Sequence, residues 1–143
     1  MLISTKGRYA LRVLIDMAEH KGNGYVKLKE IAARQDISEK YLESIVKQLV
    51  VHHIVVGLRG KGGGYRLSAE PDQINVGKVL SVMEGTLAPV ACLEDNGEPC
   101  PRASICRTLP FWRGLNQTIR QYTDSFTIAD LMHTDDTGYD YII

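Results

Sequence analysis

Apolar positions in the first part of this chain recur at a helical period and then switch to a strand period. Ala10, Leu11, Leu14, Met17 and Ala18 return at steps of one, three and four, which predicts an amphipathic helix capped by Ser4 or Thr5 and running to about His20. Lys21-Gly22-Asn23-Gly24 predicts a turn. Leu28, Ile31 and Ala32 give one side of a second, short helix. Asp36 and Ser38 both suit an N-cap, so a third helix is expected to begin at about Ser38 or Glu39, with Tyr41, Leu42, Ile45, Val46 and Leu49 as its buried face. Residues 54–58 are then β-branched and apolar and read as a strand, and Tyr65-Arg66-Leu67 is the returning strand. Asn75 is placed to cap a further helix with Val76, Val79, Leu80 and Met83 as its stripe, and Gly85 stops it.

The last third changes character. Pro110 sits where a first helical residue would, and Trp112, Leu115, Ile119, Tyr122 and Phe126 follow at steps of 3, 4, 3 and 4, the spacing of a coiled-coil seam. Thr127 and Asp130 form a capping box for a short helix with Ile128 and Leu131 on its apolar side. The tail, residues 133–143, is acidic and then apolar and is expected to form a last strand or docking segment.

Two short helices, a tight turn and a glycine-tipped hairpin, in that order, predict a winged helix-turn-helix, in a mainly α fold whose β content is the small hairpin wing. In that motif the second helix reads DNA with side chains near its N-terminus. The candidate readers there are Ser38, Glu39, Lys40, Tyr41, Glu43, Ser44 and Lys47. A plain helical hairpin with a solvated charged face is the rival reading of these two helices alone. The hairpin shifts the balance: Arg59-Gly60-Lys61-Gly62-Gly63-Gly64 combines cations, here joined by Arg66, with bare backbone that approaches a surface closely. A phosphate-cradling nucleotide loop requires strand, loop and then helix, and here a strand follows the loop. Thr5, Lys6, Arg8 and Tyr9 crowd the start of the first helix, a natural phosphate seat, and Lys29 joins them from the second.

Charge agrees with this placement. The formal net charge is zero, yet residues 1–70 hold twelve Lys and Arg against seven Asp and Glu, while residues 71–143 hold five against ten. A basic half beside an acidic half suits a protein that presents one end to DNA. No apolar run reaches the ~18 residues of a bilayer span, and the charged N-terminus has no signal-peptide core, so a cytoplasmic protein is expected.

All three cysteines, Cys92, Cys100 and Cys106, lie within one loop. An odd number in a reducing compartment argues against structural disulfides. Clustered thiolates there suit iron–sulfur or metal binding, although zinc usually wants a short C-x2–4-C pair that is missing here. Spacing alone leaves an iron–sulfur cluster, zinc and a bare redox thiol set open. Nothing in the chain offers a cofactor fingerprint, a C-x-x-C or an acid–base pair, which argues against an enzyme.

The segments ISTKGRYAL at 3–11, ISEKYLESI at 37–45, LRGKGGGYRL at 58–67 and the cysteine loop at 92–106 resemble the Rrf2 family of bacterial winged-helix regulators over nearly the whole chain. The resemblance implies a homodimer with crossed C-terminal helices on a palindromic site in double-stranded DNA, most often as a repressor. Within the family a cysteine loop marks the IscR-like, cluster-binding branch, so Cys92, Cys100 and Cys106 are implied ligands of a [2Fe–2S] cluster, with control of iron–sulfur assembly or iron and redox genes. The first cysteine gap is longer than usual in that branch. Leu109 stands where a histidine ligand is expected, and Arg8 where some relatives offer a carboxylate from the second subunit. The fourth ligand is therefore open among Glu94, Asp95, Glu98, a water and an external thiol. The alternative branch is cluster-free and CymR-like, regulating cysteine or sulfur metabolism through a protein partner or thiol oxidation. The implied organisation is 1–85 for the winged helix-turn-helix, 86–107 for the cluster loop and 108–143 for a dimerisation helix and tail. His20, His52, His53 and His133 have no ligand spacing to the cysteines.

Overall fold

The computed structural model describes residues 2–22 and 24–132; the tail of residues 133–143, with His133 and the expected final strand, lies outside the described residues. The elements are α1 (Thr5–Glu19), α2 (Leu28–Gln35), α3 (Glu39–Val51), β1 (Val55–Leu58), β2 (Gly64–Leu67), α4 (Val76–Glu84), α5 (Leu109–Asp124) and α6 (Ile128–Met132), with single 3-10 turns at Pro71–Gln73 and Ala91–Leu93.

Helices α1, α3, α4 and α6 start where a side chain satisfies a free N–H group, whereas α2 and α5 begin without a side-chain cap. Ser4 Oγ accepts from the Gly7 N–H at 3.2 Å, Ser38 Oγ from Tyr41 at 3.2 Å and Asn75 Oδ1 from Lys78 at 3.0 Å. Thr127 and Asp130 cap α6 reciprocally, the Thr127 N–H donating to the carboxylate at 2.8 Å. The turn between α2 and α3 is made by Asp36 in the left-handed region (φ 52°), a conformation that Asp tolerates better than most side chains. The Ile37 N–H then donates to the Ala32 carbonyl at 3.1 Å, and the Ile37 side chain is buried beneath the turn.

β1 and β2 pair antiparallel from Val55↔Leu67 to Leu58↔Gly64. Val26 adds an isolated bridge to Tyr65, with both N–H···O bonds at 2.8 Å, so the hairpin root is fastened to the segment before α2. Gly64, at φ 150°, sits where an added Cβ would lie 2.5 Å from the Val26 carbonyl oxygen, so that bridge requires a residue without a side chain.

One core collects Leu14 and Met17 of α1, Ile31 of α2, Leu42, Ile45 and Leu49 of α3, Val79 and Met83 of α4, and Ile128 of α6. The buried arc of α1 is wider than the expected stripe: Val13 and Asp16 join it, because α1 packs against α2, α3, α4, α6 and β2. Tyr41 is a correction in the other direction. It was expected on the core face of α3 and is instead 37% exposed, at the front edge of the helix. The segment after α5 returns to the core, where Val76 N–H donates to the Phe126 carbonyl at 3.0 Å and Ile128 N–H to the Ile74 carbonyl at 2.9 Å. Residues 127–132 thus pack as part of the winged core. Among the described residues no helix is long and apolar enough to cross a membrane.

Candidate nucleic-acid interface and cysteine loop

The helix-turn-helix geometry leaves the outer face of α3 bare. Ser38, Glu39, Lys40, Glu43, Ser44 and Lys47 are all exposed, while Leu42, Ile45, Val46 and Leu49 anchor the opposite face. Ser44 Oγ–H donates back to the Tyr41 carbonyl at 2.7 Å, which leaves its hydroxyl oxygen free to accept. The start of α1 meets the start of α3 through Tyr9 and Tyr41, whose rings stand edge to face with centroids 5.9 Å apart. Thr5 and Arg8 are exposed and paired, with Arg8 donating to the Thr5 hydroxyl at 3.0 Å. Lys6 is half-buried, and Lys29 is exposed on the first turn of α2.

The wing tip projects. Gly60 (φ 95°) and Gly62 (φ 78°) adopt conformations that side chains disfavour, and a Cβ at either would meet open space. Arg59 and Lys61 sit beside them and are exposed. Arg66 differs from the expected tip cation: its guanidinium lies over the Tyr25 ring, 5.1 Å from the centroid, near the hairpin root. Two cations, not three, are left at the tip. Among these exposed cations a phosphate would find charge without competing acid, whereas on α3 Glu43 stands among Lys40 and Lys47.

Beneath this surface lies a charge that the hydrophobic pattern does not announce. Asp16 is 1% exposed, the buried charged residue of the core. Arg34 grips it with both forks, at 3.0 and 2.7 Å, and Gln35 Nε2–H donates to it at 3.0 Å. The His20 ring nitrogen lies 2.9 Å from the Asp16 backbone carbonyl. Burial by itself pushes the Asp16 carboxyl up, but the hydrogen bonds from Arg34 and Gln35 and the positive charges of Arg34 and His20 outweigh it and hold it below the ordinary carboxylate range. An acidic residue three places after Val13 on an otherwise apolar helix face was the available sign; its partners, at the end of α2, could not be paired with it from spacing.

The cysteine loop runs from α4 to α5. Cys92 is exposed, Cys100 and Cys106 are half-buried, and all three are free thiols. Cys106 lies just before α5, its sulfur 3.5 Å from the Thr108 hydroxyl. The Thr108 hydroxyl and the Thr108 and Leu109 backbone N–H groups, with Arg102 nearby, lower its pKa despite partial burial. Among the described residues no three Cys, His, Asp or Glu side chains converge at metal-holding spacing. The donor types fit an iron–sulfur group, and their present placement does not gather them. Asp95, between Cys92 and Cys100, accepts from Arg120 of α5 at 2.7 Å, so this loop carboxylate is already engaged. Glu94 and Glu98 are exposed.

The expected seam on α5 is divided. Ile119 and Phe126 pack against the core of their own chain, and Phe126 falls beyond the helix end; Trp112 and Leu115 are half-buried, and Tyr122 is 67% exposed. Phe111, absent from the expected stripe, is 66% exposed and stacks edge-on to Trp112 at 4.9 Å. An apolar side chain adjacent to the seam rather than on it carries no periodic signal.

Comparison with known proteins agrees with this architecture. The family described as Rrf2, iron-dependent transcriptional regulator, matches residues 3–134. The chain is 37% identical over 136 residues to the HTH-type transcriptional regulator IscR of Sodalis glossinidius, covering 95% of this chain and 81% of that one. It is 40% identical over 131 residues to the HTH-type transcriptional regulator CymR of Bacillus subtilis, covering 92% and 89%. Among solved structures, CymR, the global cysteine regulator of B. subtilis, superposes with a TM-score of 0.75 at 37% identity over 95% of this chain and 99% of that one. IscR of T. potens superposes with a TM-score of 0.73 at 34% identity over 99% and 96%.

Proposed function

The chain belongs to the Rrf2 family of DNA-binding transcriptional regulators, and from that premise we propose that it is a cytoplasmic repressor whose grip on a palindromic operator is set by the state of its three-cysteine loop. The observation that carries the DNA half of this reading is the bare polar face of α3, held by an Asp36 turn against α2 and flanked by a projecting cationic wing. A homodimer would place two such helices in successive major grooves, roughly 34 Å apart. The half-buried Trp112 and Leu115 and the exposed Tyr122 of α5 are offered as the contact between copies, and Ile119 and Phe126 as the groups that fix that helix on its own core.

Within the interface the roles divide by chemistry. Thr5, Lys6, Arg8, Tyr9, Lys29, Arg59, Gly60, Lys61 and Gly62 contact the phosphate backbone, which positions the protein. Ser38, Glu39, Lys40, Tyr41, Glu43, Ser44 and Lys47 face base edges and the flanking phosphates. Glu43 accepts from a cytosine amino group and repels phosphates elsewhere, so it adds selectivity at a cost in affinity. Changing Glu43 to alanine is expected to reduce discrimination between operator and scrambled DNA about ten-fold, while affinity for scrambled DNA holds or rises. A competition binding assay in which the ratio stays at the wild-type value removes that role. Changing Lys61 to alanine is expected to weaken binding to every sequence and to reduce the salt slope by about one. An unaltered slope in a salt titration counts against wing–phosphate contact.

For control, Cys92, Cys100 and Cys106 would hold a [2Fe–2S] cluster, which when bound supplies a redox-active centre and thiolate–iron bonds at three loop positions. The chain's own part is mechanical. The loop is tied to α5 by Asp95–Arg120, and α5 packs on α4 and carries the proposed contact with the second copy. Drawing the three thiols together requires the loop to leave its present path, which changes the support of α5 and shifts the population of dimers competent for DNA. A second reading is favoured by the ungathered thiols and by the similarity to CymR. In it the protein is a cluster-free regulator of cysteine or sulfur metabolism that answers to a protein partner or to thiol oxidation. Footprinting with anaerobically purified protein tests the whole: a protected palindrome is expected, and its absence with and without iron sinks the reading.

A further inference from the structure

We propose that Arg12 and Gln35, neither of them among the residues assigned above to the DNA contact, are positioning residues for recognition: they carry the orientation of the buried Asp16 carboxylate out to Tyr9 and Tyr41 at the front of α3. The inference rests on the reading of α3 as the DNA-reading helix.

The chain of contacts is directional because each member has one role to play. Asp16 only accepts, so the Gln35 amide turns its nitrogen toward the acid, donating at 3.0 Å. That leaves the Gln35 side-chain oxygen facing the other way. Arg12 only donates, and its Nε donates to that oxygen at 3.2 Å, while its terminal nitrogen donates to the Gln35 backbone carbonyl. So held, the Arg12 guanidinium lies 4.9 Å from the centroid of the Tyr9 ring. The Tyr9 ring in turn meets the Tyr41 ring edge-on at an interplanar angle of 75°. Tyr41 occupies the first turn of α3, where its N–H is fixed by the Ser38 cap. A carboxylate that cannot move, because both of its oxygens are occupied in the core, thus sets two aromatic rings at the surface. Rings ordered before binding lose less freedom on binding.

Exposed Arg12 has a simpler rival role as a direct phosphate contact. The two roles part on the conservative substitution. Arg12→Lys keeps the charge and loses the second hydrogen bond and the planar stack on Tyr9. Gln35→Ala removes the amide that joins Arg12 to Asp16, with no change of charge, and leaves Arg12 only its bond to the backbone carbonyl of residue 35.

The test measures affinity for a duplex selected in vitro against the full-length wild-type chain and for a scrambled duplex, at several salt concentrations. Melting temperature is recorded for each variant. Gln35→Ala and Arg12→Lys are each expected to weaken binding to the selected duplex about ten-fold, with scrambled-duplex affinity within about two-fold and the salt slope unchanged. Adding either change to Tyr41→Ala is expected to cost nothing more, because the effect passes through that ring. Wild-type discrimination in both variants, or an equal loss on both duplexes, overturns the proposal, as does full additivity with Tyr41→Ala. Lys47→Ala separates the premise from the inference. If it leaves the affinity for both duplexes and the salt slope at wild-type values, α3 does not face DNA and the premise fails with everything built on it; if it lowers the affinity for the selected duplex, a negative result for Gln35 and Arg12 refutes the relay alone.

Discussion

Changing Asp16 to alanine is expected to destabilise the fold by about 3 kcal/mol, the lower end of what removing one partner from a buried ion pair costs, because the Arg34 left behind reaches water. At fixed protein concentration that corresponds to a melting temperature lower by roughly 10 °C or more. The cause is specific. Asp16 is enclosed by α1 and α2 and satisfies Arg34 twice and Gln35 once. Without it the part-exposed Arg34 guanidinium loses its counter-charge and the Gln35 amide loses its acceptor. Because Asp16 and Arg34 are in direct contact, the double change Asp16→Ala with Arg34→Ala is expected to cost clearly less than the sum of the two single changes. The pH dependence follows from the direction of the shift. The folded-state pKa of Asp16 lies below its unfolded value, so the stability it contributes is complete above the ordinary carboxylate range, about 3.9, and is lost as pH falls through the lower folded value. Asp16→Asn is therefore expected to unfold more easily than wild type at neutral pH and to converge with it in strong acid. Urea melts at several pH values check this, and a constant gap down to the lowest pH removes the linkage argument.

Purified without oxygen, the chain is expected to be coloured and to contain iron and acid-labile sulfide in equal amounts. Changing any one of Cys92, Cys100 or Cys106 to alanine is expected to abolish both, since these three are all the cysteine thiols of the sequence. The same substitutions are expected to alter operator affinity by roughly five- to a hundred-fold, the ordinary range of coupling between two sites. Asp95→Asn, which loosens the tie to Arg120 without touching a thiol, is expected to leave iron content near wild type. Colourless wild-type protein that still binds the operator, with cysteine variants that bind equally well, favours the cluster-free regulator answering to a protein partner. Operator binding lost on oxidation and restored by a thiol reductant favours thiol control.

Much of the winged core was legible because local chemistry and hydrophobic period agree there. Ser4, Ser38 and Asn75 cap the helices they were expected to cap, Gly85 ends α4, and the glycine run makes the hairpin tip. The bare face of α3 follows from the same count, since the residues left over from an apolar stripe have nowhere to go but solvent. Tyr41 escaped that count because an aromatic ring at the edge of a stripe packs against whichever neighbour reaches it, here Tyr9 from α1.

The sequence by itself determined the element order, most of the core stripe of each winged-domain helix, the family and the presence of three thiols in one loop, because periodicity, capping and motif spacing act over a few residues or are read directly from them. Only the tertiary structure decided which neighbour each surface meets. It buried Asp16 against Arg34 and Gln35, drew Arg66 back onto Tyr25, engaged Asp95 with Arg120 and turned Ile119 and Phe126 toward their own core. Each of those pairings joins residues from separate elements, and no local rule carries the angle at which two elements cross.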